Sequence, residues 1–410
     1  MSKIIVKKFG GTSLKDIECI NKVAKIIQND VINNYKVIVV VSAMGTFTND
    51  IISKIKLLSD LCTASALAEY DSIIASGEQI SSGLLSIALQ KMNIKARSWL
   101  GWQIPIKTSS HYSNARIVEV EDTELKNFLK DNDVAIIAGF QGVYNNRITT
   151  LGRGGSDTSA VAIAAALKLD LCYIYTDVDG IYTTDPNTVP TARKVNNITY
   201  DEMLEMSSLG AKILQVRSVE IAMRYNIKLC VLSTFAKTQG TFVVRKEEIM
   251  ESHTITGITL HNNAVSITVE SINTLTGIAA VFAPLAQNNI SVDMIIQNIG
   301  HEKINVTFTI SEDHIARTTA LLTELKDQIM YNNLIINPTV AEVSIIGVGM
   351  ISNPGVAYKM FNTLSNNKIK ILAVTTSEIK ISVLIERIHS ALAIKVLHDA
   401  FELHINKELK

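Results

Sequence analysis

The sequence is poor in the residues that mark several classes of protein. Its 410 residues include only 6 prolines and 4 cysteines, and 6% are aromatic. Lysine plus arginine and aspartate plus glutamate number 39 each, so the formal net charge is zero. That balance argues against a chain built mainly to bind nucleic acid or acidic membrane surfaces. With 47% hydrophobic and 19% charged residues, the composition is also incompatible with wholesale disorder.

Signals for membranes, export and metal binding are lacking as well. No apolar run reaches the roughly 18–20 residues of a membrane helix; the candidate at Ile73–Gln90 is interrupted by serine, glycine and glutamate. The N-terminus shows no secretory signal, so we expect a cytoplasmic protein. The cysteines lie far apart and are expected to be reduced thiols (Cys19, Cys62, Cys172 and Cys230). The histidines are scattered, and no metal site is expected.

Short apolar runs alternate with helical patterns in residues 1–245. Runs at Lys3–Phe9, Val37–Val41, Val134–Ala138 and Leu171–Tyr175 are typical of buried strands. Helical spacing predicts the helices between them (Lys15–Asn29, Ile51–Leu61, Ala64–Gly77, Ile80–Lys91 and Asp157–Lys168). This alternation predicts an α/β fold with a mostly parallel central sheet between helical layers. Ligands then bind at the C-terminal ends of the strands.

The last 150 or so residues contain an internal repeat. The segment around Val265 and Gly277 resembles the segment around Val343 and Gly355, with the glycines 78 residues apart. Each copy has the pattern strand, glycine turn, amphipathic helix, strand, strand, helix, which predicts two compact βαββαβ units. We place the boundary with the first region near Arg245–Ser252, a polar, charged stretch.

The first motif with chemical potential is KKFGGTS, residues 7–13, between a predicted strand and a predicted helix. Gly10 and Gly11 let the backbone approach a ligand closely, and a helix N-terminus attracts phosphate. Lys8 adds a positive charge beside them. The spacing matches neither a P-loop nor GxGxxG. On this motif alone, a plain strand–helix turn with surface lysines explains the residues equally well.

The second motif, GRGGSDTSA, residues 152–160, opens a strongly apolar helix. Its three glycines and Arg153 suit a phosphate or a carboxylate, which an arginine binds through two parallel hydrogen bonds. Asp157 lies in the first helical turn, where a carboxylate is favoured. The alternative is a helix-start aspartate beside a solvated arginine, but the glycines would then have little structural use.

Other motifs are weaker when each is taken alone. TDVDGIYTTDP, residues 176–186, follows a buried strand, and Thr176 and Asp177 suit a nucleotide, although a solvated turn has the same composition. Lys212, in GAKIL, suits phosphates. Serine, threonine and glutamate residues near two helix starts suit a carboxylate and an ammonium, although helix caps explain them as well (Ser42, Thr48 and Glu78).

These motifs occur together, in order and at suitable spacing: KFGGTS, VSAMG…TN, SGE, GRGGSDTSA, TDVDGIYTTDP and GAKIL. Jointly they closely resemble the aspartate kinase family of the amino-acid kinase superfamily. In the tail, VDMIIQN, GVGM…NPGVA and TSEIKIS resemble the paired ACT regulatory domains of that family. The resemblance covers essentially the whole chain. It implies a kinase domain over 1–245 and ferredoxin-like ACT domains over 253–338 and 339–410.

The resemblance implies ATP-dependent phosphorylation of the aspartate side chain to 4-phospho-L-aspartate, with ATP and Mg²⁺. This is the first step towards lysine, diaminopimelate, threonine and methionine. By resemblance, Lys8 stabilises the transferring phosphoryl group and Asp157 positions the catalytic lysines. The remaining implied roles are aspartate binding (Ser42, Thr48, Glu78, Arg153 and Gly154) and ATP binding (Gly10, Gly11, Ser13, Thr176, Asp177, Tyr182 and Lys212).

The resemblance also implies amino-acid feedback, by lysine or threonine, and assembly into a homodimer or higher oligomer through the ACT sheets. The implied effector residues lie in both ACT domains (Asp293, Gln297, Asn298, Ser377 and Glu378). In the first ACT domain, Thr274 and Thr276 replace the usual acidic residue and proline. We therefore expect altered feedback. Asn187 also stands where many members carry a basic residue.

Three other functions compete with this interpretation. A kinase of glutamate or acetylglutamate is disfavoured by the paired ACT motifs. A catalytically inactive amino-acid sensor has no need to retain Lys8, Arg153, Asp157 and Lys212 together. A bifunctional kinase–dehydrogenase is not expected, since nothing follows Lys410.

Overall fold

The computed structural model describes residues 3–58, 63–211, 213–249, 254–273, 277–299 and 303–405. The first half contains the strands β1 Ile4–Phe9, β2 Lys36–Val41, β3 Ala96–Trp99, β4 Ile106–Thr108, β5 Ile117–Val120, β6 Val134–Ala138, β7 Gln141–Tyr144, β8 Arg147–Thr150, β9 Leu171–Thr176, β10 Ile181–Tyr182, β11 Lys194–Val195 and β12 Asn197–Thr199. The second half contains β13 Lys228–Ser233, β14 Thr241–Val244, β15 Gly257–His261, β16 Ala264–Asn273, β17 Ile295–Ile299, β18 Lys303–Ser311, β19 Asn333–Asn337, β20 Val340–Ile346, β21 Ile371–Thr376 and β22 Lys380–Glu386.

The α-helices lie between these strands. They are α1 Ile17–Ile32, α2 Phe47–Lys56, α3 Ala64–Ile74, α4 Ser76–Lys91, α5 Thr123–Asp131, α6 Gly155–Ala166, α7 Tyr200–Ser208, α8 Val216–Tyr225, α9 Ala279–Gln287, α10 Ile315–Glu324, α11 Lys326–Ile329, α12 Val356–Asn366 and α13 Ser390–Ala400. Within the ranges given above, no helix combines the length and apolar character needed to cross a membrane.

The central sheet has the order β12-β14-β13-β9-β1-β2-β6-β3. All of its pairings are parallel except that of β13 with β14. Strand β2 shows why the sheet forms here, since Val37–Val41 are completely buried, as expected for a strand covered on both faces. The predicted α/β class with a mostly parallel sheet is confirmed.

Helix α6 is buried along its first ten residues, from Gly155 to Ala164. Its sequence is almost entirely alanine, glycine, serine, threonine and other short side chains, which allow a helix to lie close against a sheet. It contacts β1, β2 and β9. The start of α6 is thereby fixed over the middle of the sheet.

The first unit also contains a four-stranded sheet with the order β5-β4-β7-β8. The sequence analysis predicted no strands at β4, β5, β7 or β8. These strands are only three or four residues long. A segment this short is not long enough to show an alternating pattern of polar and apolar residues. Asp71 of α3 contacts this sheet by accepting hydrogen bonds from Thr150 of β8.

The chain forms two compact units. The first contains the central sheet and its helices. The second contains the tail, from Glu251 on, together with two segments from earlier in the chain, Tyr182–Arg193 and Ser208–Ala211. Within the second unit, Val189 lies in the same apolar cluster as Val343 and Leu397. The sequence analysis placed these early segments in the kinase domain.

The second unit contains two four-stranded antiparallel sheets, with the orders β17-β18-β16-β19 and β15-β20-β22-β21. In the sheet β15-β20-β22-β21, the edge strand β15 precedes all four strands of the other sheet along the chain. It pairs with β20. The expected limits 253–338 and 339–410 remain predictions. Gly257–His261, however, lies within the first of these ranges and pairs with Val340–Ile346 in the second.

Candidate active site

The loops that follow the parallel strands meet at one edge of the central sheet. Phe9 is the last residue of β1. It lies beside Val41, the last residue of β2, and beside Tyr175, the residue before the end of β9. The next residues continue this pattern, because Ser42 N–H donates to the Phe9 carbonyl over 3.1 Å. The C-terminal edge of a parallel sheet is where ligands bind, and most of the predicted site residues lie there.

An ion pair between Lys8 and Asp157 occupies the centre of this edge. The Lys8 Nζ lies 2.5 Å from Asp157 Oδ1, and the two side chains are only 11% and 8% exposed. Lys8 comes from β1 and Asp157 from the first turn of α6. The structure therefore brings the two predicted catalytic residues into direct contact across 149 positions of sequence.

The glycines after β1 leave space beside the Lys8 ammonium. A Cβ atom at Gly10 would lie 3.5 Å from Lys8 Nζ, and one at Gly11 would lie 2.8 Å from the Ala43 carbonyl oxygen. The predicted phosphate contact from Gly10 N–H is not supported, because that N–H donates to the Tyr175 carbonyl over 3.0 Å. Gly11 begins a short 3₁₀ helix, whose first N–H groups have no acceptor within the helix. We call this turn at Gly10 and Gly11, beside Lys8 Nζ, the Gly11 cradle.

Glu78 lies in the first turn of α4 and is only 4% exposed. One carboxyl oxygen, Oε1, accepts the Ala43 N–H over 3.0 Å, and the other, Oε2, is buried without a hydrogen-bond partner. Burial raises the pKa of Glu78 to about 8, while the Ala43 hydrogen bond and the charge of Lys8 act in the opposite direction. A cationic group placed against Oε2 would pair this carboxyl and favour its ionised form.

Arg153 is exposed in the loop before α6. Gly152 and Gly154 on either side have φ values of +78° and +70°, which side chains disfavour. A Cβ at Gly154 would also come within 1.6 Å of Gln215 Cγ. The loop therefore requires glycine at both positions, and the exposed guanidinium is available to an anion.

Two charged residues that the sequence analysis missed hold this loop from behind. Arg217 of α8 donates to the Leu151 carbonyl over 2.6 Å and to the Ala115 carbonyl over 2.8 Å. Completely buried Asp71 accepts the N–H groups of Thr150 and Ser113, and the Thr150 hydroxyl, at 2.6–3.0 Å. Burial raises the pKa of Asp71, and these hydrogen bonds lower it. The sequence offers no local signal for either residue, because their partners are backbone groups far along the chain.

The other predicted residues of the first unit follow strands of the central sheet. Thr176 ends β9, and its hydroxyl donates to exposed Asp177 over 2.9 Å. The Ser13 hydroxyl is buried against that of Thr234, 2.7 Å away, so it is already paired. Ser42 and Thr48 are half-buried, Ser42 after β2 and Thr48 in the first turn of α2.

Of the two remaining predicted nucleotide residues, Tyr182 belongs to the second unit. Lys212 falls outside the described residues. The segment after Tyr182 turns sharply, with the Asn187 side chain donating to Asp185 over 3.0 Å.

The predicted effector residues lie in the second unit on neighbouring edges of its two sheets. Gln297 and Asn298 are exposed on β17, which contacts β21 of the other sheet. Ser377 and Glu378 are exposed in the turn after β21. Asp293 is exposed before β17, and its charge adds to burial in raising the pKa of Glu342 to about 7. Thr274 and Thr276 lie outside the described residues.

Comparison with known proteins agrees with this geometry. The profile of the Amino acid kinase family matches residues 3–233, and the ACT domain profile matches residues 343–401. The chain is 43% identical to an aspartate kinase of Pseudomonas putida and 42% identical to aspartokinase 2 of Bacillus subtilis, in each case over 98% of both chains.

Solved structures give the same result. The chain superposes on Escherichia coli aspartokinase III in complex with aspartate and ADP with a TM-score of 0.81, at 26% identity, covering 97% of this chain and 99% of that one. The lysine and aspartate complex of the same enzyme gives a TM-score of 0.76, at 27% identity, covering 98% and 100%.

The protein is therefore a kinase of the amino acid kinase family with C-terminal ACT domains. Within that family, its full-length similarity places it among the aspartokinases. The fold class and the family predicted from the sequence motifs are confirmed.

We expect the variant Asp71→Asn to loosen the loop that carries Arg153. An amide in place of the carboxylate turns an NH₂ group towards backbone donors and leaves buried groups unpaired. This should lower the free energy of unfolding by about 1–3 kcal/mol. Denaturant unfolding measures the change. The control is Asp131→Asn, an exposed residue at the end of α5, which should leave stability unchanged; equal stability of both variants would contradict the assigned role of Asp71.

We expect the buried carboxyl of Glu78 to make stability fall as pH rises. The folded protein holds this proton up to about pH 8, whereas the ordinary pKa is 4.5. The unfolded chain therefore binds fewer protons between these values, and stability is lost as pH rises through them. Thermal unfolding of ligand-free Glu78→Gln should show a flatter pH profile than the wild type, with the higher midpoint on the alkaline side.

The control for this measurement is Glu18→Gln, an exposed position on α1, which should follow the wild-type profile. Parallel profiles for wild type and Glu78→Gln would show that Glu78 is already ionised in the folded protein.

Proposed function

We propose that this protein phosphorylates the side-chain carboxylate of L-aspartate with ATP, giving 4-phospho-L-aspartate and ADP. The observation that carries the proposal is the buried Lys8–Asp157 pair beside the Gly11 cradle, at the ligand-binding edge of a parallel sheet. The relatives named aspartate kinase extend over the whole chain, and aspartokinase III was solved with aspartate and ADP.

Aspartate has two carboxylates and one ammonium, and the site has a partner for each kind of charge. Exposed Arg153 suits a carboxylate, which a guanidinium binds with two hydrogen bonds. The unpartnered Oε2 of Glu78 suits the ammonium, and binding it would ionise the carboxyl. Ser42 and Thr48, at the same edge, supply hydroxyl donors, and the absence of a Cβ at Gly154 keeps the Arg153 loop closely packed.

The phosphates of ATP fit the other side of Lys8. Gly11 offers its N–H, and Gly10 leaves room for a phosphoryl group beside the ammonium. Thr176 and Asp177 lie at the end of the adjacent strand β9, where they suit the nucleoside, with Tyr182 and Lys212 proposed by resemblance. Mg²⁺ accompanies ATP on its phosphate oxygens and neutralises part of their charge.

The reaction requires little covalent chemistry from the protein. A side-chain oxygen of aspartate attacks the γ-phosphorus and forms a new P–O bond, while the bond from the γ-phosphorus to the β–γ bridging oxygen breaks and ADP leaves. An aspartate carboxylate is already ionised at neutral pH, so no strong general base is needed. Lys8 stabilises charge on the transferring group, and Asp157 holds Lys8 in place.

The second unit is proposed to bind a feedback amino acid, lysine or threonine, at the neighbouring edges of its sheets. The structure of aspartokinase III in complex with lysine and aspartate supports this class of effector. Asp293 and Glu378 would hold the ammonium, while Gln297, Asn298 and Ser377 offer polar contacts. We further propose a cytoplasmic enzyme that assembles as a homodimer or higher oligomer through its ACT sheets.

Acyl-hydroxamate formation tests the reaction. With ATP, Mg²⁺ and hydroxylamine, we expect product from aspartate and none from glutamate. Lys8→Ala should reduce the rate on the order of 10²-fold or more, because it removes charge stabilisation in the transition state. Lys25→Ala, an exposed lysine on α1, is the control and should retain wild-type activity.

Other outcomes of this assay favour the competing functions. Product from glutamate would indicate a different amino-acid kinase. No product from either substrate, in a folded protein that binds ATP, would favour a catalytically inactive amino-acid sensor.

Isothermal titration with lysine and threonine tests the altered feedback that Thr274 and Thr276 suggest. We expect weakened effector binding at one of the two ACT domains. The variant Asn298→Ala should weaken effector binding further. The control is Asn333→Ala, on β19 at the opposite edge of the same sheet. Tight binding of effector at two sites per chain would defeat the hypothesis.

A further inference from the structure

Two histidines and an aspartate come together at the end of α13. His398, Asp399 and His404 each offer one ligand atom, and these atoms all lie within 4.8 Å of one another. His398 is completely buried, whereas Asp399 and His404 are exposed. All three residues belong to the second unit.

The chain turns back at this point. Helix α13 ends at Ala400, and the Leu403 N–H then donates to the His398 carbonyl over 3.1 Å. This places the His404 ring 6.3 Å from the His398 ring, centre to centre. The cluster therefore depends on the helix end and is not visible as a metal motif in the sequence.

The buried imidazole of His398 is satisfied on one side only. Its Nε2 lies 3.0 Å from the Thr183 hydroxyl, while Nδ1 is buried without a hydrogen-bond partner. If Nε2 carries the proton and donates it to Thr183, then Nδ1 has a free lone pair. Ligating histidines commonly have this arrangement, with the second ring nitrogen donating to an outer partner that fixes the ring.

The surroundings also suit a cation. The C-terminal end of a helix carries partial negative charge, and α13 ends between His398 and His404. Asp399 adds a carboxylate at the same helix end.

We propose that His398, Asp399 and His404 bind a divalent transition metal ion of the zinc class, with Nδ1 of His398 as the buried ligand. Two imidazoles and one carboxylate form a ligand set that zinc accepts, with a fourth position left for water. The scattered histidines of the sequence predicted no metal site, and a bound metal ion here would make that prediction wrong.

Metal binding at this site would stabilise the segment Tyr182–Arg193. Thr183 accepts the Arg193 N–H over 3.0 Å and donates its own N–H to the Arg193 carbonyl over 2.9 Å. It therefore closes the base of this segment. A metal ion on Nδ1 would fix the proton on Nε2, and thus the hydrogen bond from His398 to Thr183.

Titration of the full-length, chelator-treated protein with ZnCl₂, without nucleotide, tests the proposal. We expect one saturable site per chain that His404→Ala weakens on the order of tenfold or more. His404 is exposed, so the variant should fold; circular dichroism checks this. The control is His389→Ala, which also removes a solvent-accessible histidine. This variant should bind Zn²⁺ as the wild type does.

Cobalt absorption identifies the ligands. Co²⁺ should give the visible bands of a low-coordinate nitrogen and oxygen site, lost in His404→Ala and retained in His389→Ala. Equal metal binding by wild type and His404→Ala would overturn the proposal. A thiolate charge-transfer band would do the same, because it would place the ion on a cysteine.

Discussion

The ion pair between Lys8 and Asp157 joins the two parts of the chain on which the candidate site depends. Both side chains are nearly inaccessible to water, and a buried charge is strongly unfavourable without a partner. Each side chain therefore gives the other a partner of opposite charge. Because Lys8 lies on β1 and Asp157 begins α6, the same contact fixes the start of α6 over the strand that carries the glycine loop. The N-terminal end of α6 adds its own attraction for the carboxylate.

The rest of the site is arranged in two layers around this pair. Arg153 and Asp177, which we propose to bind the substrates, are exposed. Those behind them, Asp71 and Arg217, are buried or half-buried, and they bind backbone groups of the loops. Charged side chains thus hold the loop that carries Arg153, and the glycines shape it. A ligand-binding loop without its own regular structure gains a defined position in this way.

The sequence predicts those parts of the fold that local patterns encode. The β-branched run Val37–Val41 and the small-residue helix after Gly155 have the expected structures, because burial on both faces imposes composition along the segment itself. Gly257–His261 lies in one sheet with Val340–Ile346 because two strands far apart in the sequence pair with each other. No local sequence pattern predicts this pairing. The same holds for Asp71, whose partners are backbone N–H groups, and backbone groups are identical in every sequence. The occupied N–H of Gly10 follows from the pairing of β1 with β9, which the motif alone does not specify.

The segment Tyr182–Arg193 belongs to the second unit, although the chain on both sides of it belongs to the first. It follows directly, along the chain, the strand whose end carries Thr176 and Asp177, yet its side chains pack within the second unit, with Val189 in the apolar cluster of Val343. Six peptide links separate Thr176, at the end of β9, from Tyr182. Gly180, at φ +154°, lies in this connection and is enclosed by Lys194 and Thr241 of the first unit. A Cβ there would contact both residues. The connection is therefore short and closely packed around Gly180, a constraint that no local sequence pattern specifies.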